Sequence, residues 1–257
     1  MTALPPGPHF RLDGARALVT GGSSGIGFAA AVALARSGAH VTLAARRQDP
    51  LDVACEALRA EGHACETRLL DVTLSADVDR VVGDPGAPPY DVLVNNAGTN
   101  RPKPLVETRD EDIDVVLDVN VKAMFYVARA FARRLLAAQQ PGTIVNVSSQ
   151  MGHVGSPRRT LYCASKHAIE GMTKALAWEL GPAAIRVNTL CPTFIETPLT
   201  AGMLDDTAFL DWASQRTALG RIGQLHEVMG AVVFLASSAS SLVTGSALML
   251  DGGWTAA

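Results

Sequence analysis

A chain of 257 residues that is 48% apolar can bury a sizeable core, which excludes a disordered chain. A formal charge of −3 with no long run of like charge excludes a basic face for nucleic acid. No apolar run reaches the roughly 18 residues of a membrane span, and Met1 to Phe10 carries no apolar signal core, so no membrane partner is expected. Cys55, Cys65, Cys163 and Cys191 form no C-x-x-C and no metal-ligand spacing with histidine. They read as reduced thiols of a cytoplasmic protein without a metal site.

In chain order, Arg16 to Thr20 reads as a short strand that runs into Gly21-Gly22-Ser23-Ser24-Gly25-Ile26-Gly27. An alanine-rich helix from Phe28 to Arg36 follows, closed by Gly38. Strands are expected at His40–Ala45 and Thr67–Leu70, around a helix from Leu51 to Glu61. Ser75 is placed to cap a short helix, and the Pro/Gly run 84–89 breaks it. Val92 to Val94 is a fourth strand that ends at Asn95-Asn96-Ala97-Gly98. Thr108 and Glu111 have capping-box spacing and open a long helix to about Ala138. A strand at Ile144–Val147, a helix at Thr160–Leu180 and a strand at Ile185–Leu190 come next. A helical loop to Gly223, a helix from His226 to Ala236 and a strand at Ala247–Leu250 complete the chain. Short apolar strands alternating with helices predict one α/β domain over 1–257, a doubly wound parallel sheet with helices on both faces. Ligands of such sheets sit beyond the strands' carboxyl ends. Gly21 to Gly27, Asp71, Asn95 to Gly98, Ser148-Ser149 and Pro192 therefore share one edge.

Tyr162 and Lys166 are four apart and share a helix face. A nearby ammonium favours the phenolate and brings a tyrosine toward acid/base work, with a serine hydroxyl to hold a substrate oxygen. The glycine turn after the first strand lets backbone N–H groups approach a pyrophosphate. The second strand ends in Ala45-Arg46-Arg47, with no acid to hold a ribose hydroxyl. Arg46 and Arg47 read either as a 2′-phosphate site or as a solvated pair.

The ordered set of Thr20-Gly21-x-x-x-Gly25-x-Gly27, Asp71-Val72, Asn95-Asn96-Ala97-Gly98, helical Asn120, Ser149, Tyr162-x-x-x-Lys166 and Asp251-Gly252-Gly253 resembles the short-chain dehydrogenase/reductase family over nearly the whole chain. The resemblance implies a seven-stranded Rossmann sheet and nicotinamide-dependent interconversion of an alcohol and a carbonyl. It implies Tyr162 as proton donor or base, Lys166 on the nicotinamide ribose, and Ser149, rather than Ser148, as the catalytic serine. It implies that Asn120 breaks its helix and holds a proton-relaying water. By position, Gly21, Ser23, Ser24, Gly25, Ile26 and Gly27 bind the coenzyme pyrophosphate, with Arg46 and Arg47 at the 2′-phosphate. Asp71 and Val72 flank the adenine, Asn95, Ala97 and Gly98 lie beneath the coenzyme, and Pro192, Thr193, Ile195 and Thr197 orient the carboxamide. Thr193 departs from the family's common Pro-Gly. NADP is the expected coenzyme, with NAD as the alternative.

The expected substrate is a small-molecule polyol, sugar acid or ketone; a 3-oxoacyl thioester reductase and a non-catalytic dinucleotide-sensing regulator are the alternatives. Gln150, His153 and Asn100 are placed to meet a hydroxylated substrate, and Arg101, Lys103, Arg158 and Arg159 either attract an acid or stand solvated. Residues 193–223 read as a substrate lid in which Met203, Leu204, Phe209 and Leu210 close or pack. The resemblance further implies a homotetramer, with Trp254 near a subunit contact.

Overall fold

The computed structural model describes residues 7–256; the start of the chain, Met1 to Pro6, lies outside them. Seven strands form one wholly parallel sheet in the order β3-β2-β1-β4-β5-β6-β7. They are β1 (Arg16–Thr20), β2 (His40–Ala45), β3 (Cys65–Leu69), β4 (Val92–Asn95), β5 (Gly142–Val147), β6 (Ile185–Pro192) and β7 (Ala247–Leu250). The connecting helices are α1 (Gly25–Arg36), α2 (Gln48–Ala60), α3 (Ser75–Val81), α4 (Asp110–Leu117), α5 (Ala123–Ala138), α6 (Thr160–Leu180), α7 (Ala201–Leu204), α8 (Thr207–Gln215) and α9 (Leu225–Ala236).

Strand period 2 sends successive side chains to opposite faces, so a sheet buried on both sides needs unbroken apolar strands. Val19, Leu43, Val94, Val145 and Leu190 pack with α1, α2 and α9. Their neighbours Leu18, Ala44, Leu93, Ile144 and Val187 pack with α3, α5 and α6 on the other face. The order of crossovers reverses between β1 and β4, and a crevice opens there at the strands' carboxyl ends. None of the described helices is long and apolar enough to cross a membrane.

Most strands and helices lie within a few residues of the sequence expectation, and three differences have a clear physical reason. Helix α2 starts at Gln48 rather than Leu51 because Pro50 falls in the first turn, where its missing N–H has no intrahelical partner to lose. Thr108 does not cap α4; its hydroxyl donates to the Pro104 carbonyl at 3.2 Å. The reciprocal contact lies one residue on, where the Arg109 N–H donates to Asp112, a carboxylate also held by Lys103 at 2.6 Å. The long helix is also not continuous: a π-turn over Asp118–Lys122 separates α4 from α5 and holds Asn120.

Gly27 fixes how α1 leaves the sheet. A Cβ there would stand 2.3 Å from the Gly21 carbonyl oxygen and 2.4 Å from Asn96 Nδ2, and neither backbone nor clamped amide can yield. Gly27→Ala is therefore expected to lower unfolding free energy by about 1–3 kcal/mol. Urea denaturation measures this, and a loss below about 0.5 kcal/mol would contradict the packing.

Candidate active site

The crevice is a cleft of about 790 Å³ floored by the carboxyl ends of the strands. One end is lined by Gly21, Ser23, Ser24, Gly25 and Ile26, by Ala45, Arg46 and Arg47, and by Asp71 and Val72. Gly21 adopts φ +63, the left-handed turn that glycine tolerates best. The turn aims the N-terminus of α1 into the cleft. Arg46 and Arg47 are exposed and form no ion pair among the described residues. Asp71 is fixed by accepting from the Thr73 N–H at 2.9 Å and the Thr73 hydroxyl at 2.7 Å.

The other end gathers Ser148, Ser149, Gln150, Tyr162, Lys166, Pro192, Thr193, Ile195 and Thr197, with Ala97 and Gly98 between the two ends. Ser149 opens a single helical turn, accepts from the Met151 N–H at 3.1 Å and faces the Pro192 carbonyl. Lys166 is buried, donates to the Val147 carbonyl at 2.8 Å and stands 5.6 Å from the Tyr162 ring centroid. Burial pushes its ammonium down to about 8, against weaker upward pulls from Cys191 and Glu170. Burial also raises Tyr162 above its ordinary value, while the Ser149 hydroxyl and Arg159 oppose the rise. This reverses the depression expected from Lys166, because desolvation of the phenol outweighs the pull of nearby charge.

Three of the expected catalytic and coenzyme residues do not line the cleft. Asn120 is fully buried: its Nδ2 donates to the Thr99 carbonyl at 2.9 Å and to Ser165 Oγ at 3.1 Å, and its Oδ1 accepts the Thr99 N–H at 2.8 Å. Its side chain thus clamps the loop after β4 to α6. Asn95 donates to the Met124 carbonyl at 3.0 Å, so Asn96 rather than Asn95 faces the cleft. Gly27 packs beneath the glycine turn.

Residues 194–223 leave the end of β6 and close on themselves at an isolated Ile195–Gly223 bridge. Met203 lines the cleft, whereas Leu204 and Leu210 do not. Phe209 packs edge-on against Phe194 at 5.1 Å. Trp254 lies 5.7 Å from Phe194 and 5.4 Å from Trp212, in an aromatic cluster at the end of the chain. His153, expected to meet substrate, turns instead to Cys191 (3.6 Å) and Glu170 (3.5 Å), behind the cleft. Glu170 also accepts from Thr189 at 2.9 Å, and the potential ligand atoms of His153, Glu170 and Cys191 lie within 4.8 Å of one another. Sequence spacing gave no sign of that cluster, because α6 and β6 bring its members together.

The cleft suits a nicotinamide dinucleotide. Ser148 Oγ, Gln150 Oε1, Thr193 Oγ1 and Asn100 Oδ1 are buried along it without a protein partner, in a site long enough to reach from Arg46 to Tyr162. The family model described as enoyl-(acyl carrier protein) reductase matches residues 21–255. The chain belongs to the short-chain dehydrogenase/reductase family. Gluconate 5-dehydrogenase of Gluconobacter oxydans is 42% identical over 96% of both chains. L-xylulose reductase of Bos taurus is 38% identical over 96% of this chain and 98% of its own length. A gluconate 5-dehydrogenase from Burkholderia cenocepacia J2315, crystallised with NADP and tartrate, superimposes with a TM-score of 0.91 at 37% identity, covering 97% of this chain and 98% of that one. The family acts on alcohol and carbonyl groups, and the sheet order and helical cover match it.

The lowered Lys166 value has a sign that stability can report. Between about 8 and the lysine's ordinary 10.5, the unfolded chain binds the proton that the folded one has released. Lys166 is therefore expected to add about 2–3 kcal/mol of stability across that window, while the thiols of Cys65, Cys163 and Cys191, held above their ordinary value by burial, and Tyr162 above about pH 10 pull the other way. Chemical denaturation at pH 8 and 10 isolates the lysine as the change in the wild type minus the change in Lys166→Met, which should be positive by about 2 kcal/mol. Equal profiles would contradict the burial argument.

Proposed function

We propose that this enzyme interconverts a secondary hydroxyl and a ketone on a small sugar acid or polyol, with NADP(H) favoured over NAD(H). The observation that carries the reading is the convergence of Ser149, Tyr162 and Lys166 on one wall of a cleft whose far end carries Arg46, with no carboxylate at the end of β2. The bound coenzyme supplies or accepts the hydride. The chain's own residues manage the proton and the geometry. Tyr162, held protonated at neutral pH by burial, donates its proton to the substrate carbonyl oxygen. Ser149 offers its hydroxyl to the same oxygen and fixes its position. Lys166 keeps one N–H on Val147 and has others for ribose hydroxyls, and its charge favours the phenolate left after transfer. Asn120 acts as a positioning residue, since it ties the loop at Thr99 to the helix that carries Tyr162 and Lys166.

Backbone N–H groups of Ser23 to Ile26 and the start of α1 receive the pyrophosphate, and Asp71 and Val72 border the adenine. Thr193 offers a hydroxyl without a protein partner toward the carboxamide side. Residues 193–223 serve as the substrate lid. Ile113, Val115, Phe125, Leu136 and the 87%-exposed Trp178 on α4, α5 and α6 support a homotetramer. The four free, buried cysteines fit a reducing cytoplasm.

A panel of sugar acids, polyols and their ketones, read by nicotinamide absorbance with both coenzymes, tests the reading. Tyr162→Phe should lower kcat by about 10²–10⁴ while NADPH affinity stays within about threefold. More than a tenth of the wild-type rate would remove Tyr162 from the proton transfer.

Coenzyme choice has its own test. An arginine meeting a 2′-phosphate is worth about 1–3 kcal/mol, or roughly 5- to 150-fold in selectivity, and less at high salt. Ala45→Asp/Arg46→Leu should move the kcat/KM ratio toward NAD(H) by that factor. A wild type that already prefers NAD(H), with no shift in the double variant, would end the NADP assignment.

A further inference from the structure

Arg159 is a buried cation at the substrate end of the cleft, 8% exposed, and no anion accompanies it among the described residues. Its guanidinium has five donors, yet its one hydrogen-bond partner is the thioether sulfur of Met203, with Nη2 at 2.8 Å. A thioether is a weak acceptor, and no protein oxygen bonds the guanidinium. Its remaining N–H groups have no protein partner and stay open to the cleft, so a fixed positive charge faces the space where substrate enters.

The backbone around it is strained to hold this position. Arg158, a non-glycine residue, sits at φ 61, and its carbonyl is fixed by the Lys103 N–H at 3.0 Å. The Arg159 carbonyl accepts the Cys163 N–H at 2.7 Å, which starts α6 at that point. Arg159 thereby precedes Tyr162 by three residues at the mouth of the helix, and both side chains face the cleft. The coenzyme's charged groups have partners elsewhere: the pyrophosphate at the glycine turn and the 2′-phosphate at Arg46. The remaining anion must be on the substrate.

We propose that Arg159 is a carboxylate subsite that selects hydroxy acids and keto acids over neutral polyols of the same chain length. The assignment rests on the reading of Ser149 and Tyr162 as the reacting end. A guanidinium fork matches a carboxylate with two parallel hydrogen bonds, which fixes orientation as well as affinity. Arg101 is exposed and bonds its own loop, and Lys103 is taken by Asp112, so neither offers the same site.

Matched pairs differing only in carboxylate against hydroxymethyl test this: glycerate and glycerol, threonate and threitol, gluconate and glucitol. Binding to the enzyme–NADP complex is measured by calorimetry, and kcat/KM by nicotinamide absorbance, for wild type, Arg159→Gln, Arg159→Lys and the control Arg158→Gln. In the wild type, at least one acid should bind more tightly than its alcohol. Arg159→Gln should weaken the acid by about 10- to 150-fold, mainly in KM, and leave the alcohol and NADPH within about threefold. Arg159→Lys should fall between, and Arg158→Gln should match wild type. Equal losses for acid and alcohol, or a wild type indifferent to the carboxylate, would overturn the subsite. Acid binding that depends on Arg159 without turnover of any pair would sustain the subsite and overturn the reaction reading alone.

Discussion

A single threonine–asparagine seam holds the two halves of the sheet in register where ligands bind. Thr20 Oγ1 accepts the N–H groups of Asn96 at 2.9 Å and Ala97 at 3.1 Å. Asn96 Nδ2 returns to the carbonyls of Thr20 at 2.9 Å and Gly21 at 3.2 Å. At the reversal point the loops after β1 and β4 lie beyond the ladder, so side chains must do what strand pairing does elsewhere. The seam sets the glycine turn, and the turn aims α1. Strand alternation then explains why two adjacent asparagines have different work: Asn95 bonds down to α5 while Asn96 reaches across the sheet end.

The same edge concentrates what a purely structural protein would avoid. Lys166 loses proton affinity there, Tyr162 gains it, Arg159 is charged without an anion, and several polar atoms have no partner. The desolvated lysine and the unpartnered buried polar atoms cost folding free energy. The sheet offsets those costs with two apolar faces filled by Leu, Val, Ile and Ala at almost no exposure. That division of labour is how a stable scaffold carries a strained, polar site.

Much of this was legible in the residues. The strands stood out because both their faces are buried, and α6 begins and ends where its pattern predicts. The glycine turn and the Tyr–Lys pair were readable because local spacing alone defines them. What escaped depends on long-range packing. The π-turn at Asn120, implied by the family resemblance but not by the helical pattern itself, follows from a clamp to Thr99 and Ser165, 21 and 45 residues away. Arg159 could not be told from its exposed neighbours, because Met203, 44 residues on, encloses it. His153 pointed to the substrate on paper, and Glu170 and Cys191 draw it elsewhere. The Tyr162 shift was misjudged because nearness of charge is visible in spacing, whereas desolvation is not.

The bridge between Ile195 and Gly223 gives the chain a modular joint. The Glu196 N–H donates to the Gly223 carbonyl at 3.0 Å, and the Gly223 N–H donates to the Phe194 carbonyl at 2.9 Å, so the intervening segment is a closed excursion with a fixed base. Lengthening a flexible loop between fixed ends costs little, about 0.6 kcal/mol per doubling. Insertions or deletions within it leave the seven-stranded ladder and the glycine turn untouched. The segment over the substrate end can therefore diverge in length and composition far faster than the floor beneath it, and one scaffold can pass from one substrate to another by rewriting about thirty residues.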